Sequence, residues 1–205
     1  MFVLSLSGRP GHGRSASDPV PELLEALAEL ELPLPAERTV GPDALVLAGR
    51  AEAALEVLLR AAEVGPLAVG LGVGAVHGPL PASVREISGP ALEAAEAALA
   101  SARTTSQVPL AVRAADPRQE GTAADVEAVL RRVVWMIRAR SRGQWEAVRA
   151  LRHDPGATQA RLAEHLGVTQ QTVSRAVKTS GWREESAAHP LAVRLLSMID
   201  LTSAR

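Results

Sequence analysis

The spacing of apolar residues changes along the chain, and each change marks a predicted element. Phe2-Val3-Leu4-Ser5-Leu6 is a short apolar run, followed by a loop rich in glycine (Gly8, Gly11, Gly13), which reads as a strand and then a turn. Pro19 to Leu30 places Leu23, Leu24, Leu27 and Leu30 at helical spacing after a possible cap at Asp18. Glu37 to Val40 and Ala44 to Ala48 read as two strands joined by Gly41-Pro42-Asp43, a hairpin. Arg50 to Ala62 is again helical, and Pro66 to Val76 is strand-like. The order βαββαβ by residue 76 predicts an α+β fold whose N-terminal part is a ferredoxin-like antiparallel sheet with its helices on one face.

Beyond this point the pattern turns helical. Gly89-Pro90 opens a helix over Ala91 to Arg103, with proline in the first turn, where its missing N–H is tolerated, and Val108 to Val112 reads as one more strand. Asp116 to Thr122 has linker composition, and Val126 to Arg140 predicts a long connecting helix. The expected division is therefore 1–115, a linker and connecting helix over 116–140, and a second domain over 141–205. In that last part Gln144 to Arg152 predicts a helix with Trp145, Val148 and Leu151 inward. Pro190 to Ile199 predicts another, with Leu191, Val193, Leu195 and Met198 inward.

The most informative stretch is Thr158 to Lys178. Leu162, Ala163 and Leu166 form the inner face of a first helix, and Gly167 suits a tight turn. Thr169 is placed as the N-cap of a second helix over 169–179, anchored by Val168, Val173 and Val177. Gln170, Gln171, Ser174, Arg175 and Lys178 then point outward, with Thr169 and Thr172 at the start of the same helix. Amides suit adenine edges, arginine suits guanine, and serine or lysine suits phosphate. This is the layout of a helix-turn-helix that enters the major groove of double-stranded DNA, within a compact helical or winged-helix domain.

Charge supports that reading. The net charge of −1 hides a segregation: residues 1–130 hold 9 basic against 17 acidic side chains, and 131–205 hold 13 against 6. A basic C-terminal part suits a polyanionic partner, and Arg161 and Arg183 join Arg175 and Lys178 as expected phosphate contacts. Absence of cysteine excludes disulfides, thiolate zinc sites, iron–sulfur clusters and a cysteine nucleophile. No metal ligand set or cofactor is expected, because the five histidines are scattered. The apolar start stops at Gly8 without a basic flank, so a cytoplasmic protein with no membrane partner is expected.

Ser7-Gly8-Arg9, Thr39-Val40-Gly41-Pro42-Asp43, Val69 to Gly74, Gly89-Pro90-Ala91 and Gln144-Trp145 with its helix-turn-helix follow one another in an order that resembles the SatD family. The resemblance implies an N-terminal domain similar to the nucleotidyl-cyclase palm, a C-terminal helix-turn-helix and a bacterial setting. Cyclase chemistry needs two carboxylates on the first strand and the hairpin. Here Asp43 stands on the hairpin, but the first strand carries Leu4, Ser5, Leu6 and Ser7, so no catalytic residues are expected. Asp43 also suits a turn on its own account. Gly70, Gly72 and Gly74 share one face of their strand and leave a bare strip that either a ligand or a helix can approach. Arg9, in its glycine-rich loop, could meet an anion. These residues lead to the expectation of a sequence-specific DNA-binding regulator. Its N-terminal domain would form a homodimer, sense a small-molecule or nucleotide effector, or both. The alternative is a nucleotide-binding, degenerate cyclase-like protein with an accessory basic domain.

Overall fold

The computed structural model describes residues 1–8, 18–154 and 156–203; Arg9, His12 and the loop around them lie outside the described residues. Among those described, β1 (Phe2–Gly8), β2 (Glu37–Arg38), β3 (Asp43–Ala48), β4 (Leu67–Val73) and β5 (Leu110–Ala114) form one sheet in the order β2-β3-β1-β4-β5. β1 runs antiparallel to both β3 and β4, while β5 lies parallel to β4. The sheet is therefore mixed and not antiparallel throughout. The fifth strand returns through a long helical connection, which permits a parallel pairing that a hairpin does not.

The helices lie on both faces of the sheet, which corrects the expectation of one. On one face α1 (Val20–Leu27), α2 (Ala51–Val64) and α4 (Glu120–Arg138) enclose Leu4, Leu6, Val46, Val69, Leu71 and Val112. On the other, Val3, Leu45 and Leu47 meet α3 (Pro90–Arg103). β1 is buried along its whole length because it is central and covered on both sides, so a near-continuous apolar run replaces alternation.

α3 sits unusually close to the sheet. Its small residues Ala91, Ala95, Ala98 and Ala102 are fully buried, and they face the side of β4 that carries Gly70 and Gly72. A Cβ on Gly70 would fall 2.2 Å from the Leu99 nitrogen, and one on Gly72 2.1 Å from the Ala91 carbonyl oxygen. A helix backbone thus occupies the strip. Gly74 lies at its end, against the Ala115 side chain, and no room for a ligand is left along Gly70 and Gly72.

The segment read as a linker is a short 3-10 turn, Pro117–Gln119, that leads straight into α4. α4 buries Val126, Leu130, Val133, Val134 and Ile137, and its Glu127 carboxylate accepts from the Val112 N–H (2.9 Å) on β5. The last element among the described residues is α8 (Trp182–Ser203), one helix that runs through Pro190 instead of starting there. Its buried apolar residues are Ala192, Leu196 and Ile199, which join the core beside α4. Leu191 and Met198, expected inward, are instead 38% and 49% exposed. This helix follows the helix Gln170–Thr179 at once and no strand follows β5 among the described residues, so of the two domain types expected, helical or winged, the described residues form the helical one.

Candidate nucleic-acid interface

α5 (Arg142–His153), α6 (Gln159–Leu166) and α7 (Gln170–Thr179) pack around Leu162, Ala163 and Val173, with Leu151, Leu166 and Val177 half-buried at the edge. Each helix start has its own cap. Ser141 Oγ accepts from the Gln144 N–H (3.4 Å) while Gln144 Oε1 accepts from the Ser141 N–H (2.8 Å), a reciprocal box that opens α5. Thr158 accepts from the Arg161 N–H (3.3 Å) at α6, and Thr169 from the Thr172 N–H (3.2 Å) at α7.

The turn between α6 and α7 rests on Gly167, which adopts φ 65°, a left-handed conformation that a β-carbon would strain. Val168 follows in the turn and is 43% exposed, so it does not anchor the second helix as expected. It lies outside the helical repeat that begins at Gln170, which leaves Val173 as the seat of α7 in the core.

The outer surface of α7 carries Gln170, Gln171, Thr172, Arg175 and Lys178, all exposed, with Ser174 half-buried. Thr169 and Thr172 share a hydroxyl contact of 2.9 Å, so both are partly engaged in the helix start. Among the described residues Arg175 and Lys178 have no ion-pair partner, which leaves their charges available to an external anion. Arg161 is held by Asp154 at 3.0 Å and must exchange that partner before it meets a phosphate. Arg183 is exposed in the first turn of α8, just after α7.

Gln144 is the residue that the sequence reading passed over. Its side-chain amide donates to the Thr179 carbonyl oxygen (3.0 Å) and hydroxyl (2.9 Å), so one residue caps α5 and pins the far end of α7. The Ser141-x-x-Gln144 spacing was the available signal for the cap, but not for the bridge.

A buried ion network ties this three-helix head to the sheet body. Arg140 and Glu185 are 1% and 0% exposed and in direct contact, and Arg140 Nε donates to the Ser180 carbonyl (2.8 Å). Arg152 reaches Glu185 at 2.7 Å and also contacts Glu63 of α2. Burial alone would raise the Glu185 carboxyl pKa. Contact with the His189 ring and the charges of Arg140 and Arg152 outweigh it, so the pKa is held below the ordinary carboxylate value.

Asp43 opens β3 opposite Ser7, and Arg103 binds both, at 2.8 Å to the carboxylate and 3.1 Å to the hydroxyl. Among the described residues no group of three or more metal-ligating side chains converges, and no helix is long and apolar enough to cross a membrane.

The family model of the MarR family matches residues 140–179, the span of α5, α6 and α7. This segment is therefore similar to the MarR-family helix-turn-helix, and the likeness supports DNA binding by the C-terminal part of the chain. No curated protein and no solved structure matches the chain.

Proposed function

We propose that the chain is a transcriptional regulator that binds specific sequences of double-stranded DNA, with α7 in the major groove. The observation that carries this reading is the outer face of α7: exposed amides, and cations with no ion pair among the described residues, on a helix capped at its start and pinned at its end. Gln170 and Gln171 suit base edges, Arg175 suits a guanine, and Lys178 and Arg183 suit phosphates. Affinity for selected duplexes should fall steeply with salt. Arg175→Ala is expected to cost about 1–3 kcal/mol and to relax preference at one base pair. Fluorescence anisotropy on a selected site checks this, and an unchanged affinity there would remove Arg175 from the interface.

A single helix-turn-helix reads one half-site, so the proposal includes a homodimer. Exposed apolar side chains on α8, with Met198 at 49% and Leu201 at 72%, support association through that helix. Met198→Glu with Leu201→Glu is expected to leave the fold intact and shift sedimentation from dimer to monomer. A wild type that sediments as a monomer would end this part of the reading.

For the N-terminal domain the proposed assignment is a ferredoxin-like core, supported by the order β2-β3-β1-β4 with each neighbouring pair antiparallel, to which β5 is added. Kinship with the SatD family belongs to the same proposal. So does a non-catalytic role, since Ser5 and Ser7 stand where a palm site needs its second carboxylate. One observation favours the nucleotide-binding alternative. A cavity of about 410 Å³ is bordered by Asp43, Thr39, Arg85 and Arg103, and Asp43 Oδ1 is buried with no hydrogen bond among the described residues. Mg²⁺-dependent nucleotide binding without duplex binding would put that alternative first.

A further inference from the structure

Between the sheet body and the three-helix head lies a cleft of about 630 Å³, a volume typical of ligand sites between structural units. Its walls differ in sign. α5 contributes Arg149, Arg152 and His153, and α8 contributes His189 with the Trp182 indole. The facing wall, from α1 and α2, carries Glu22, Glu56 and Glu63 against the single Arg60, with Ala26, Leu59 and Val64 as its apolar part.

Most of these charges already have partners. Glu63 takes Arg152 in direct contact, and Arg60 binds Glu56 at 2.8 Å. What is left over is of both signs and on opposite walls. Glu22 is exposed and has no ion pair among the described residues. Arg149 is 62% exposed, with the Trp145 ring centroid 5.4 Å from its guanidinium and Glu63 at 3.8 Å as its partners, and His153 beside it has no hydrogen bond among the described residues. A simple anion entering the cleft would face Glu22, and a simple cation would face Arg149. A molecule with one charge of each sign satisfies both walls and can lay an apolar group on Leu59 and Val64.

We propose that this cleft binds a small zwitterion of the α-amino-acid type. Its carboxylate is taken by Arg149 and His153, its ammonium by Glu22, and its side chain by the apolar wall. Because the ligand touches α1 and α2 on one side and α5 and α8 on the other, occupancy changes how the head is held on the body. Only that consequence rests on the DNA-binding reading; the site itself does not.

The test is calorimetric titration of the 205-residue chain with free leucine, glutamine and phenylalanine, each beside its N-acetyl and its carboxamide derivative. At least one free amino acid is expected to bind saturably, and blocking either charge should weaken it roughly tenfold, about 1.4 kcal/mol. Arg149→Gln and Glu22→Gln, both at exposed positions, should do the same while circular dichroism stays native. No saturable binding by any of the three, equal binding by the blocked forms, or variants that bind like the wild type would each overturn the site. Duplex binding is measured in parallel on the same samples. Binding of DNA without amino acids refutes the cleft alone, and binding of amino acids without DNA refutes the DNA reading and leaves the cleft standing.

Discussion

Glu185→Ala is expected to lower the unfolding free energy by about 3–5 kcal/mol, the cost of removing one partner from a buried ion pair. The carboxylate is fully buried and contacts two guanidiniums, and Arg140 is itself 1% exposed. Without Glu185, Arg140 keeps its Ser180 carbonyl contact but must hold an uncompensated charge away from water. The same change severs one of the contacts by which Arg152 ties α5 to the rest of the protein, leaving Glu63 and the Trp182 ring 4.9 Å from its guanidinium. The head should therefore loosen before the sheet body does, seen as early hydrogen exchange in α5 to α7. Urea denaturation at neutral pH checks the magnitude, and a loss below about 1 kcal/mol would mean that the pair behaves like a surface contact.

The network also sets the sign of the acid response. Since the folded-state pKa of Glu185 lies below its unfolded value, its contribution is fully present above the ordinary carboxylate range and is lost as pH falls through the folded value. The stability of the wild type should thus decline on acidification more steeply than that of Glu185→Ala. Parallel curves for the two proteins would show that Glu185 titrates normally.

The second large effect is expected at Gly72. Gly72→Ala puts a Cβ 2.1 Å from the Ala91 carbonyl oxygen and 2.3 Å from the Ala95 nitrogen, both backbone atoms of α3. A flexible side chain could swing away, but a helix backbone cannot yield locally. The helix must lift from the sheet as a body, which opens the contacts of Ala95 and Ala98 with it. The expected loss is about 3 kcal/mol, the upper end for ordinary overpacking. Gly121→Ala is the matched control. It lies in the first turn of α4 with nothing within 4 Å of an added Cβ, so it should gain about 0.5–1 kcal/mol. Thermal melts should move in opposite directions for the two variants. A wild-type melting temperature for Gly72→Ala would mean that α3 sits farther from β4 than described here.

By itself the sequence determined the parts that are decided within a few turns of chain. The helix-turn-helix was legible because its apolar repeat, the cap at Thr169 and the turn glycine Gly167 are local features that agree with one another. The strands β1, β3 and β4 and the intervening helices were legible for the same reason. Tertiary structure decided whatever depends on a distant neighbour. Periodicity shows that Gly70 and Gly72 share a face, but only the arrival of α3 says what fills it. Composition places a proline at residue 190 as a helix start, yet α8 continues through it, held on one side by Glu185 in its ion network and on the other by Ala192, Leu196 and Ile199 in the core. The inward face of α8 could not be chosen from its own sequence, because Leu191 and Met198, which the structure leaves exposed, are as apolar as the residues it buries. The choice was made by α4 and α2, the helices on which α8 chiefly packs, with Ala192, Leu196 and Ile199 in the shared core. The Arg140, Arg152, Glu63 and Glu185 network joins residues up to 122 positions apart. No local pattern encodes such pairing, since the burial that makes these charges interact strongly exists only once the head has docked on the sheet.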